Sequence, residues 1–115
     1  MAMNLAPGEV ILVRFPFTDL TTAKLRPAVV LANHGQDLII AGIFSLRPGP
    51  TKPIWVPVRT GDPGFEQTGL KADSVIKGER IAVVEQSVVV RSIGRLSEST
   101  MITVRNAIRI ALNLG

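Results

Sequence analysis

"PAVVLANHGQDLIIAGIFS", Pro27 to Ser45, sets two apolar runs on either side of a polar gap, Asn33 to Gln36. Short runs rich in valine and isoleucine suit a pleated, buried surface. Asn-His-Gly-Gln between them supplies residues that favour turns. The stretch is predicted as two strands joined by a turn, and the rest of the chain is read outward from it. Upstream, "EVILVRF" (Glu9 to Phe15) is a further strand, closed by Pro16, with a polar loop over residues 16–25. Downstream, "LRPGPTKP" (Leu46 to Pro53) is too rich in proline and glycine for regular structure. "IWVPV" (Ile54 to Val58) is a short strand, and Pro57 marks it as an edge. "RTGDPGFEQTG" reads as a turn-rich connection, "DSVI" and "RIAVVEQ" as two strands around "KGE", and "VVVRSIGRL" as a tight turn with a last strand. Only the end is helical: Met101, Val104, Ile108, Ala111 and Leu112 recur at helical spacing. Ser97 or Ser99 serves as N-cap, and Gly115 lies just past the last turn. Many short strands followed by one helix predict a mainly β fold, a compact antiparallel barrel or curled sheet.

The 115 residues suit one domain, 1–115, with no repeat and no dividing linker. The chain is 46% hydrophobic and 19% charged, which excludes wholesale disorder. A net charge of +4 favours polyanionic partners, nucleic acid or an acidic protein. There are no cysteines, so disulfides, thiolate zinc sites and a cysteine nucleophile are all excluded. "MAMNLAPGEV" lacks the pattern of a secretory signal, and no apolar run approaches a membrane span, so a cytoplasmic protein without membrane association is expected.

"GEVILVRFPFTDLTTAKLRPAVVLAN", "DLIIAGIFS", "TGLKADSVI", "RIAVVEQ" and "IGRLS", followed by the terminal helix, resemble in that order the MazF/PemK family of toxin ribonucleases. The resemblance covers nearly the whole chain. It implies an SH3-like antiparallel β-barrel with a C-terminal helix, acting as a homodimer. It also implies a toxin of a type II toxin-antitoxin system that cuts single-stranded RNA, including mRNA, without metal or cofactor, and that a cognate antitoxin neutralises. CcdB-type gyrase poisons are similar in fold but act on another target. A non-catalytic toxin that binds nucleic acid or protein is therefore the alternative.

RNA carries its own nucleophile, the 2′-hydroxyl. An enzyme using it needs a base, an acid and fixed positive charge at the phosphoryl oxygens, and the product is a 2′,3′-cyclic phosphate. Arg26 is the first candidate, because guanidinium is always charged and its planar fork matches two phosphate oxygens. Pro27 biases Arg26 towards an extended backbone, which restricts the direction its side chain takes. The plainer reading pairs Arg26 with a surface carboxylate. Asp73 and Lys71 share a face if "LKADSVI" is extended, and then divide the base and acid roles. An ordinary aspartate, near pKa of about 3.9, needs burial to act as a base at neutral pH. The plainer reading makes Asp73 a turn residue capping backbone amides and Lys71 a solvated lysine. Lys71 stands where some family members have arginine.

Many relatives carry threonine and then a small polar residue at the end of the third strand. Here the pair is Phe44 and Ser45, assigned to RNA contact, with Phe44 either core or a base-stacking surface. The loop over 16–25 holds Thr18, Asp19, Thr21, Thr22 and Lys24, and lacks the histidine or glutamate that some relatives have there. Lys24, Arg47 and Lys52 are assigned to the RNA backbone, a contact blind to sequence. His34 reads as a turn residue, and Trp55 as core or dimer interface. Arg91 and Arg95 share parity but carry no assignment.

Overall fold

The computed structural model describes residues 4–14 and 24–115. Six strands lie in chain order: β1 Glu9–Val13, β2 Arg26–His34, β3 Asp37–Ser45, β4 Trp55–Val58, β5 Ser74–Glu85 and β6 Val89–Arg95. One helix, α1 Glu98–Ala111, follows them. The end of the first predicted strand at Phe15, and Thr18, Asp19, Thr21 and Thr22 of the loop, lie outside the described residues.

The strands pair antiparallel in one sheet, ordered β4-β5-β3-β2-β1-β6. The hairpin of β2 and β3 stands at its centre. Both strands have an apolar run without strict alternation, because both faces of the curled sheet are covered. Val29, Ala41, Ile43 and Val10 point into one core with Ile76 and the buried helix residues Met101, Val104 and Ala107. Ala28, Val30, Leu38, Ile40 and Ile11 point into a second core, closed by Leu5 and Val89. Neighbours in sequence thus serve opposite cores, as a period of two requires.

Pro57 does lie in an edge strand: β4 borders the sheet, so the missing N–H costs no ladder bond on its open side. "DSVI" and "RIAVVEQ" differ from expectation. They form one continuous strand, β5, with a bulge in place of a break. Pairing with β3 jumps from Ile43↔Ile76 to Ala41↔Ile81, which leaves Lys77 to Arg80 outside that ladder. Gly78 sits in this bulge, and its N–H donates to the Ile54 carbonyl at 2.8 Å. A Cβ there would come within 2.8 Å of that oxygen and 3.1 Å of the Ala107 backbone. Only glycine lets strand, loop and helix approach so closely.

Of the two cap candidates, Ser97 caps α1, accepting the Thr100 N–H at 3.2 Å. The helix packs on β4 and β5. Its expected stripe is shifted: Ala107 is buried where Leu112 was expected, and Leu112 is 52% exposed. The helix ends at Ala111, so Leu112 falls beyond the last turn that faces the sheet. No helix among the described residues is long and apolar enough to cross a membrane.

Candidate functional site

Strand register assembles the site. Trp55 of β4 stands opposite Lys77 of β5, and Val75, two residues before Lys77, stands opposite Phe44 of β3. Residues directly opposite, and those two apart on one strand, share a face of the sheet. The β2–β3 register, Ala28↔Gly42, carried two residues further brings Arg26 level with Phe44. Arg26, Phe44, Val75, Lys77 and Trp55 therefore form one row across four strands. They line a cavity of about 390 Å³, walled by the loop that begins at Leu46. Buried Val75 floors it.

The chemistry of this cavity is cationic and aromatic. The Lys77 ammonium lies 4.8 Å from the Phe44 ring centroid and 4.5 Å from that of Trp55. Such distances are within cation–π range. The Lys52 ammonium stands 4.9 Å from the same indole. Trp55 Nε1 donates to both carboxylate oxygens of Glu79 at 3.1 Å, which fixes the plane of the ring. Arg26 is half-buried, and its Nε is sealed from solvent without a hydrogen-bond partner among the described residues. Native side chains rarely leave a buried donor in that state.

A second hollow of about 340 Å³ adjoins the first and shares Leu46, Arg47, Pro48 and Thr51 with it. Its other walls are Arg59 and Asp73. Asp73 N-terminally abuts β5, and its carbonyl accepts the Leu46 N–H at 3.1 Å just past the end of β3. Arg26 and Asp73 thus flank the same end of β3, their backbones separated by two strand spacings across and two residues along, about 12 Å. Arg47 belongs to both hollows.

The residues expected at a site fall into three groups. Arg26, Phe44, Ser45 and Arg47 line the first cavity, and Lys52 reaches its indole. Asp73 borders the second; it is exposed, and its Oδ1 accepts the Thr60 N–H at 2.8 Å, the capping geometry. Lys71 and Lys24 are exposed and line neither hollow. Lys71 was placed with Asp73 on the premise of an extended strand. Regular pairing starts only at Ser74, and the bend at Ala72 breaks that parity. His34 is exposed at the β2–β3 turn, as expected of a turn residue.

Three residues escaped the sequence reading. Trp55, expected in the core or at a dimer interface, forms a cavity wall. Lys77 and Arg59 drew no assignment. An aromatic in a proline-bearing edge strand was the available signal for Trp55. For Lys77 there was none, since its neighbours come from strands far away in sequence. Among the described residues no group of three or more histidine, aspartate or glutamate side chains gathers as metal ligands do.

The chain is similar to known proteins in sequence family and in fold. The family model for the PemK-like, MazF-like toxin of type II toxin-antitoxin systems matches residues 6–112. The fold is similar to that of an endoribonuclease in complex with its cognate antitoxin from a mycobacterial species, with a TM-score of 0.72 at 21% identity over 98% of each chain. It is similar also to the Mycobacterium tuberculosis toxin MazF-mt6, with a TM-score of 0.71 at 21% identity over 93% of this chain and 98% of that one. The MazE-MazF structure from Deinococcus radiodurans gives 0.69 at 15% identity, over 96% of each chain. No curated protein matches the sequence.

Proposed function

This chain belongs to the PemK-like, MazF-like toxins of type II toxin-antitoxin systems, and we propose that it is a metal-independent endoribonuclease acting on single-stranded RNA. The observation that carries this reading is Arg26: a permanent cation at a cavity wall, with a buried Nε lacking an acceptor among the described residues. A phosphate oxygen arriving on that edge of the guanidinium supplies the missing acceptor, and the planar fork takes a second oxygen alongside it. The aromatic rings beside it suit unstacked bases, which only a single strand presents.

In the proposed reaction the 2′-oxygen bonds to phosphorus and the bond from phosphorus to the 5′-oxygen breaks, leaving a 2′,3′-cyclic phosphate. Asp73 is exposed in the free protein, so in this proposal the bound strand itself covers the carboxylate. The carboxylate takes the 2′-hydroxyl proton through Oδ2, the oxygen that the Thr60 N–H does not hold. Arg26 stabilises the charge on the phosphoryl oxygens. Arg47, shared by both hollows, donates to the departing 5′-oxygen, whose protonation solvent completes. Lys71, outside both hollows, is replaced in this role. Ser45 and Lys52 contact the substrate strand.

The proposal extends to partners. The similar proteins include complexes with an antitoxin, and a basic cavity suits an acidic antitoxin segment competing with RNA. We assign the chain a homodimeric state and action in the cytoplasm, where mRNA is found. The test is incubation of purified protein with mixed-sequence single-stranded RNA in EDTA. Cutting with cyclic phosphate ends is expected, and Arg26→Ala should abolish it without loss of fold. Binding of RNA without any cutting would instead favour the non-catalytic toxin reading.

A further inference from the structure

The cavity beside Arg26 does more than hold phosphate. Among the described residues no carboxylate or amide side chain lines it, and Ser45 and Thr51 supply the only side-chain acceptors there, as hydroxyls. The Glu79 carboxylate beside the indole already accepts the Trp55 N–H. The backbone of Lys77 lies two strand spacings across and two residues along from that of Arg26, roughly 12 Å, a span that one nucleotide and the two long side chains can bridge. Two aromatic rings hold the ammonium in place. A lysine head is usually mobile, so this confinement removes much of the ordering cost from ligand binding. An ammonium has three donors and no acceptor.

We infer that Lys77 reads the base: clamped by Phe44 and Trp55, it selects a keto base, uracil or guanine, over cytosine and adenine. The inference rests on the RNA-binding reading above and deepens it. Uracil O4 and guanine O6 with N7 present acceptors to the ammonium. Cytosine N4 and adenine N6 present donors at the corresponding place, which set N–H against N–H. Arg26 and Arg47 act on phosphates, which are the same in every nucleotide, so they add affinity without choice.

Uracil and cytosine differ at one exocyclic group, which makes the test sharp. Fluorescein-labelled deoxyhexamers of uracil and of cytosine, which lack the 2′-hydroxyl and cannot be cut, are titrated at pH 7.5 and one salt concentration. Fluorescence anisotropy should give about tenfold tighter binding for uracil. Hypoxanthine should exceed adenine in the same way. Lys77→Met, close in length but uncharged, should bring the uracil-to-cytosine ratio to about one, whereas Lys77→Arg should keep it. Lys77→Gln serves if the methionine variant does not fold, and should also flatten the ratio. A wild-type ratio near one, or in favour of cytosine, overturns the inference. So does a Lys77→Met protein that binds every hexamer more weakly with the ratio intact, since that is plain charge loss. Because no cutting is read, a protein that selects uracil but cuts nothing would retain this inference and lose the nuclease.

Discussion

Arg26 stores a cost within the folded protein. Its Nε is buried and has no partner among the described residues, and a donor in that state costs about 1–3 kcal/mol. Active sites commonly carry such a burden in exchange for a ready binding group. Replacing Arg26 by methionine keeps an apolar chain out to the position of Nε and removes the donor. Arg26→Met should therefore raise unfolding stability by about 1 kcal/mol in urea while ending RNA cleavage. A variant less stable than the parent would mean that the guanidinium is already satisfied and holds no donor in wait for a phosphate. The motif around Pro27 made Arg26 legible in sequence. The buried Nε was not, because burial belongs to the packed structure.

At the scale of elements, strands and helix were largely readable, and their joins were not. The third strand appears as expected, Asp37–Ser45, since its apolar run is bounded by turn residues. β5 was divided in the reading because "KGE" is charged and contains glycine. Its bulge at Gly78 is accommodated by Ile54 and the helix, which no local window includes. A second glycine matters in the same way. A Cβ on Gly94 of β6 would overlap the Gln67 carbonyl of the short 3-10 turn Glu66–Thr68. Gly94→Ala should cost about 2–3 kcal/mol through forced overpacking. Gly61→Ala, with open space around it, should stay within about 0.5 kcal/mol of the parent. Equal effects in paired urea melts would refute the close approach of β6 to the turn.

For the whole molecule, the two hollows gather Arg26, Arg47, Lys77 and Arg59 around the end of β3. Single-stranded nucleic acid should bind with strong dependence on salt, losing about 0.7 in logarithmic slope for each phosphate contact removed. Arg59→Ala should lower the salt slope by about that amount and weaken uracil and cytosine hexamers alike. An unchanged slope would place Arg59 away from the strand path. The net charge of +4 supports such binding only in general terms; the fold decides where the charge is concentrated.

The amino-acid sequence by itself determined the strand-rich class, the terminal helix, the family and the placing of Arg26 at a strand entrance. Each of these rests on residues near one another in the chain, or on motifs read in order. Tertiary structure alone put Lys77 and Trp55 on the cavity wall and left Lys71 off it. Those placements depend on which residues stand opposite across β3, β4 and β5. A bulge or a bend of one residue reverses the face a side chain takes, and long-range pairing fixes that face only when the sheet closes around its cores.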